Sequence, residues 1–510
     1  MVLPVVDTPP GIKVINLISA KCCPQRRMNK LAWHRAGVLA LTYLAYTCYH
    51  MSRKPISVVK NVLNLNCSSL SPPSDLIIND TNRYTWCDWA PFNTPDAPFL
   101  LGFLDSAFLF AYAAAMFLSG FVAERVNLRY FLSLGMIASG IASYLFGIAK
   151  TYKIHNLWYF IMVQALGGIF QTSGWPGVVT VVGNWFGKGK RGLIFGVWNS
   201  HTSLGNILGS LIAAEFVERN WGLSFIVPGI LMASAGFIIF LFLAPRPYDV
   251  NCISPNPPNF RKLNATTSSD EGTISGDDID RHRVSDEDQL IHRVSWHQHG
   301  FDPDLENSRS ETSPMLSVNR RMHNSKEKAI GFVGAINIPG VLDAGLSADL
   351  STLFDVGGIA GAIAAGVLSD YSGMSAVTCA FMFLTAIPML FLYDFIGSTN
   401  LAVNITLLIC TGILVNGPYA LITTAVSAEL GTHPSLGDDA KALATVTAII
   451  DGTGSIGAAV GPLLAGVVSR WGGWHNVFYM LMISDLLALL LLSRLVYREL
   501  RKYRQRRLAV

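Results

Sequence analysis

The chain has 510 residues, 51% of them hydrophobic and only 14% charged, with a net charge of +4 and a mean hydropathy of +0.39. Soluble domains carry about 25% charged residues, and their apolar positions alternate or follow amphipathic periods instead of filling long runs. The composition excludes a soluble globular enzyme, and so small a positive charge excludes a nucleic-acid binder; an all-α membrane protein that crosses the bilayer many times remains.

Residues 1–35 mix Pro9, Pro10, Lys21, Arg26 and Arg27 before any long apolar run, so they read as a cytosolic N-terminus without a cleavable signal peptide. The first span is expected over 36–52 and runs into Arg53 and Lys54. A cation centred in lipid costs roughly 2.5–3.5 kcal/mol, so such residues face a bundle interior or a watery cavity. Tyr46, Tyr49, His50 and Arg53 recur at helical spacing and share one face, where guanidinium can hold a phosphoester through two parallel hydrogen bonds. Interfacial anchoring is the competing reading, with Arg and Lys reaching for the headgroups and Tyr in an aromatic belt.

The loop expected over 53–98 carries the acceptor patterns Asn66-Cys-Ser68 and Asn79-Asp-Thr81, with Cys67 and Cys87 able to form a disulfide if the loop is lumenal. Further spans are expected over 99–123, 129–149, 155–182, 191–216 and 221–244, which closes a six-helix N-terminal bundle over 36–244. In the fifth, Trp198, His201, Thr202, Gly205 and Gly209 share a face with Asn199 and Asn206 beside it. That polarity reads either as a cavity wall or as glycine-mediated helix packing with hydrogen-bonded side chains.

Residues 245–329 are rich in Ser, Asn, Asp, Pro and His and read as a disordered cytosolic linker. The repeated His282-Arg-Val-Ser285 and His292-Arg-Val-Ser295 leave basophilic phosphorylation open beside a merely solvated linker. Five spans follow, over 349–369, 375–396, 401–428, 441–468 and 474–497, in a C-terminal bundle over 330–497, and a basic cytosolic tail occupies 498–510. Asn416-Gly-Pro418-Tyr419, like Trp175-Pro176 in the fourth span, marks a helix irregularity suited to a cavity or hinge. Asp451, near the middle of a span, needs a partner, water or a coupling ion.

Basic residues cluster at the N-terminus, around Arg125 and Arg129, at Lys188–Arg191, in the linker and in the tail, so these are expected in the cytosol and the first loop in the lumen. The halves repeat: Gly120-x-x-x-Glu124 returns as Gly366-x-x-x-Asp370, and Gly205-x-x-x-Gly209-x-x-x-Ala213 returns as Gly457-x-x-x-Gly461-x-x-x-Ala465. Two related bundles joined by a central loop predict the major facilitator fold, whose halves rock about a midplane site. That fold has twelve spans and only eleven are recognisable here, because Ile330–Leu342 offers thirteen residues interrupted by Pro339. The seventh span is either missing or replaced by a marginal tilted segment. No enzymatic, metal-binding or cofactor-binding pattern appears; Gly452-x-Gly454-x-x-Gly457 lies within an apolar helix with no preceding strand.

Tyr49-His-x-Ser-Arg-Lys-Pro-Ile-Ser57, Trp86-Cys-x-Trp-Ala-Pro-Phe92, Gly183-Asn-Trp-Phe-Gly-Lys-Gly-Lys-Arg191, Trp198-Asn-Ser-His-Thr202, Leu353-Phe-Asp-Val-Gly-Gly358 and Thr445-Val-Thr-Ala-Ile-Ile-Asp-Gly-Thr-Gly-Ser455 together resemble the sugar-phosphate exchanger family of solute carriers, related to bacterial organophosphate:phosphate antiporters. The likeness is greatest to its glucose-6-phosphate:phosphate exchanging members of the endoplasmic reticulum membrane. It implies that Arg53 is the phosphate-binding arginine of the first span, and that sugar phosphate and inorganic phosphate exchange through one site by alternating access. Two positions depart from the bacterial pattern. Met116 stands where the second-span lysine of Tyr-x-x-x-Lys is expected, and the fifth-span histidine position holds Thr202, one residue after His201. The resemblance also implies a seventh span with a basic residue facing the site, which this chain lacks after Val341. The function expected is therefore a phosphate-ester:phosphate antiporter; the alternative is a shortened, non-transporting membrane protein that regulates or assembles with an intact form. The substrate-binding candidates are Arg53, Lys54, Tyr46, Tyr49, His50, His201, Thr202 and Asn199, and the pathway or coupling candidates Asp451, Asn416 and Tyr419.

Overall fold

The computed structural model describes residues 7–22, 29–63, 89–93, 97–186, 191–253, 344–397, 400–426 and 442–508. Helix α1 (Pro10–Cys22) precedes the first span, which consists of α2 (Lys30–Arg53) and α3 (Pro55–Leu63). Then come α4 (Ala97–Ala123), α5 (Leu128–Thr151), α6 (Leu157–Gln171), α7 (Gly174–Trp185), α8 (Arg191–Asn220) and α9 (Leu223–Phe242). The second half holds α10 (Ala344–Ser372), α11 (Ser375–Ile396), α12 (Leu401–Ala420), which continues as a π-helical turn over Leu421–Val426, and α13 (Ala442–Leu508). Asn29, Asn127, Asn156 and Asn400 start α2, α5, α6 and α12, each accepting a backbone N–H of the first turn at 2.8–3.2 Å. Asparagine at this position satisfies a donor that the helix itself cannot.

Among the described residues eight segments are long and apolar enough to cross a membrane, and two of them lie in α13: Leu443–Ala465 and His475–Gln505. Between these two, Gly473 has φ +72°, a left-handed conformation that a continuous right-handed helix does not contain and that glycine adopts without steric cost. Contacts give the two directions. Thr445 meets Glu124 while Ala459 meets Ser106, so the first segment runs antiparallel to α4; His475 meets Asp394 while Glu499 meets the start of α11, so the second runs antiparallel to α11. The other three crossings, α2–α3, α6–α7 and α8, are more polar or interrupted, and they bury Thr42, Lys54, Gln171, Asn199 and His201. Outward-facing Leu118, Leu134, Phe381 and Phe395 are exposed, whereas Thr42, Arg129, His201 and Asp451 are buried. A surface apolar outside and polar inside suits lipid rather than water.

The first span does not stop at residue 52. Pro55 lacks an N–H and has a φ suited to a helix start, so the chain re-enters helix after Lys54. Val58, Val59 and Leu63 are buried with Phe92, Leu104, Phe146 and Phe160, so residues 55–63 belong to the N-terminal bundle rather than to the loop expected over 53–98. Arg53 thereby lies against the middle of α4 instead of at a membrane edge. The fourth crossing is likewise two helices, broken at Thr172–Ser173 just before Trp175-Pro176.

Two seams join the halves, α4 against the first segment of α13 and α8 against α10. The repeated Gly-x-x-x-acid motif sits on both. A Cβ on Gly120 would lie 2.6 Å from that of Ala448, and one on Gly196 would meet the Ala362 carbonyl oxygen at 2.8 Å and the Gly366 Cα at 3.5 Å. Glu124 accepts the Thr445 N–H at 3.1 Å and so caps the start of α13. This relates the halves by pseudo-twofold symmetry. The end of the bundle bearing Arg125, Arg129 and Glu124, here the basic end, also holds the buried 3₁₀ turn Pro247–Val250. Asp355 of α10 pairs with Lys54 toward the opposite end. Residues 254–343 thus have their flanks at opposite ends of the molecule.

Candidate functional site

The polar interior is organised around Arg53. Its Nε donates to Gln171 Oε1, and Gln171 Nε2 donates to Ser52 Oγ at 3.0 Å, which fixes the guanidinium from the α6 side. Its carbon lies 4.8 Å from the Tyr112 ring centroid and 5.8 Å from that of Phe108. Arg53 Nη2 is buried with no hydrogen-bond partner among the described residues. Beside it lies a small cavity of about 30 Å³, lined also by Ser52, Asp105, Ser139 and Gln164. A guanidinium nitrogen left without an acceptor in a desolvated interior is an unmet demand for an anion.

The second half closes over this arginine. The Tyr112 hydroxyl donates to Asp451 Oδ2 at 2.6 Å, and Tyr46, Tyr419 and Asp451 all lie within electrostatic reach of Arg53. One cation, three tyrosines and one carboxylate from α2, α4, α12 and α13 therefore meet at mid-depth. Next to them Tyr46 sits in an aromatic box, its ring 4.7 Å from His201, 5.0 Å from Trp175 and 5.1 Å from His50, with Trp198 4.5 Å from His201. His201 is fully buried; its Nδ1 meets Thr202 Oγ1 at 3.2 Å, while its Nε2, Trp175 Nε1 and Asn199 Oδ1 find no partner among the described residues. Rings flanked by unsatisfied polar atoms suit a flat polyhydroxylated body.

The structure thus brings together Tyr46, Arg53, His201, Tyr419 and Asp451, with His50, Thr202 and Asn199 adjoining. It takes three expected residues elsewhere. Tyr49 turns to α7, where its hydroxyl meets Ser173 Oγ at 2.7 Å and its ring covers Gly174. Lys54 reaches across to Asp355 Oδ2 at 3.7 Å, and Asp355 also accepts the Asn206 amide at 3.1 Å. Asn416 packs against Gly358 within the second bundle. The glycines of α8 serve packing: a Cβ on Gly205 or Gly209 would meet the carbonyl oxygens of Thr47 or Met51 at 2.4 Å. Asn66, Asn79, Cys67 and Cys87 lie outside the described residues.

Tyr112, Gln171 and Trp175 enter the site without having been singled out as ligands. The available signal was a hydroxyl or amide alone in an apolar run, which burial makes costly unless it has a use.

The sequence pattern of the Major Facilitator Superfamily matches residues 67–271 and 329–508. The chain is 49% identical over 522 residues to the glucose-6-phosphate exchanger SLC37A2 of Danio rerio, covering 96% of each chain. It is 48% identical to the human protein of that name, over 93% of this chain and 94% of the other. Similarity to the human glucose-6-phosphate exchanger SLC37A1 is 44% identity over 92% of this chain and 94% of the relative.

Proposed function

Because the chain belongs to the major facilitator superfamily, and within it to the glucose-6-phosphate exchangers, we propose that it exchanges a phosphate ester for inorganic phosphate by alternating access. The observation that carries this reading is Arg53, buried at mid-depth with Nη2 unpartnered and hydroxyls of three tyrosines around it. A phosphoryl group near pH 7 brings about 1.5–2 negative charges and several acceptor oxygens, which matches a guanidinium and phenolic donors. The hexose then lies against Tyr46, Trp175 and His201, where ring faces pack on C–H groups and buried nitrogens meet hydroxyls. Inorganic phosphate needs only the Arg53 end of the same site, so the two anions compete and can be exchanged.

Alternating access would act at these seams: Glu124–Thr445 fastens the basic end and Lys54–Asp355 fastens the interface at the depth of the site, so parting the first opens the site toward the basic side. The basic end faces the cytosol by its charge, the opposite end faces the lumen, and the membrane is that of the endoplasmic reticulum. Counterflow uptake of labelled phosphate into proteoliposomes is expected to fall at least about 100-fold in Arg53→Ala, the scale of losing a buried charge-assisted contact. Undiminished exchange in that variant would overturn the assignment. Absence of exchange by the unaltered chain would favour the regulatory, non-transporting alternative.

A further inference from the structure

Arg53 already has an anion within electrostatic reach, and it comes from the other bundle. Asp451 is 5% exposed and accepts the Tyr112 hydroxyl at 2.6 Å. Tyr112 in turn offers its ring to the Arg53 guanidinium at 4.8 Å. Arg53 and Asp451 make no direct ion pair among the described residues, so the arrangement runs cation, ring, hydroxyl, carboxylate. Arg53 and Tyr112 belong to α2 and α4 of the first half, whereas Asp451 belongs to α13 of the second. The Tyr112–Asp451 bond therefore crosses the α4–α13 seam at the depth of the site.

An incoming phosphoryl group places a second anion beside this carboxylate, and two anions sharing one cation at a few ångströms repel strongly in a desolvated interior. The ligand carries the larger charge and meets in Arg53 Nη2 a buried donor with no hydrogen-bond partner among the described residues, whereas Asp451 makes no direct ion pair with the guanidinium. We propose that Asp451 is a tethered stand-in for the transported anion: in the empty carrier it latches the bundles through Tyr112, and a phosphoryl group bound at Arg53 displaces it and frees the seam. The proposal rests on the phosphate-exchange reading and gives that exchange a cause. The empty carrier is latched and the loaded one is not, so a site that has released its anion on one side cannot return without taking another.

The test uses the full chain in proteoliposomes preloaded with labelled inorganic phosphate. Efflux is measured into buffer with phosphate and into buffer without it. Unaltered protein should release label only against external phosphate; a flux that ignores external phosphate, or no flux at all, would overturn the exchange reading itself. Asp451→Asn keeps the acceptor and the shape but removes the charge. It should raise the ratio of phosphate-free efflux to exchange roughly tenfold, within the usual range for coupling between two bound groups, and should tighten phosphate binding. A merely structural role would instead weaken binding and leave that ratio unmoved. Tyr112→Phe keeps both charges and the ring and removes the hydroxyl that bridges toward Asp451 and Arg53, so it should raise the same ratio. If Asp451→Asn fails to fold, Tyr112→Phe decides alone. An efflux-to-exchange ratio equal to that of the unaltered protein in the folded variants overturns the latch.

Discussion

Arg53 and Lys54 are adjacent cations, yet their roles separate because successive residues of a helix point about 100° apart. One turns into the polar centre against Tyr112 and the other into the seam against Asp355. Helical spacing made the Arg53 face legible in the sequence, but it could not show that Tyr49 would be drawn off to Ser173, nor that Tyr112 and Asp451 would meet across 339 positions. Outside the spans, Asp249 shows what burial alone does. It is 5% exposed, its carboxylate accepts the Arg246 N–H at 3.0 Å, and its carbonyl accepts the Thr8 hydroxyl at 2.7 Å. Burial pushes the carboxyl up from 3.8 to about 6, against the opposing pull of the Arg246 N–H. A carboxyl raised in the folded state adds stability that is fully present below its unfolded value and is lost as pH rises through about 6. Asp249→Asn should therefore be more heat-stable than the parent at pH 7.5, by at most ~3 kcal/mol, with the gap closing toward pH 4. Thermal unfolding of the solubilised protein across that range checks the slope.

The elements themselves were largely readable, since hydrophobic runs of membrane length have few alternatives in lipid. What the runs could not give was the continuation of the first span through α3, because Arg53, Lys54 and Pro55 together imitate the end of a helix. The close approach of α8 to α2 was legible as four-residue glycine spacing, though not its partner. Met51 and Thr47 carbonyls fill the space a side chain would need, so Gly205 and Gly209 set the distance of the turn that carries Tyr46, His50 and Arg53. Gly205→Val should cost roughly 1–3 kcal/mol of stability through overpacking and should also depress transport by shifting that turn. Gly37 of α2 has open space around its Cβ position, so Gly37→Ala should be neutral or slightly stabilising. Unfolding temperatures and uptake rates of the two variants, taken side by side, separate a packing effect from a general intolerance of larger residues.

At the scale of the molecule, two bundles related by a repeat are held by a few polar contacts along their seams. The repeat was visible as recurring Gly-x-x-x-acid motifs, but the seam pairs were not, because each joins residues whose proximity depends on how the halves dock. Lys54 and Asp355 have side chains only 5% exposed. Breaking such a pair by removing one partner leaves an uncompensated charge and costs about 3–5 kcal/mol, whereas replacing both by apolar residues is close to neutral. Lys54→Met and Asp355→Leu should each lower the unfolding temperature, and the double variant should recover most of the loss. A double-mutant cycle on solubilised protein measures the coupling; strictly additive losses would show that the pair does not act as one.

The interface is fastened at the depth of the site and at the basic end by chemically unequal bonds. Parting Lys54 from Asp355 separates two desolvated charges, while parting Glu124 from Thr445 uncovers a helix terminus that water can solvate in the carboxylate's place. The basic end is therefore expected to part more readily than the buried pair at the depth of the site. A membrane-impermeant reagent would then find the central cavity sooner from one face of the membrane than from the other.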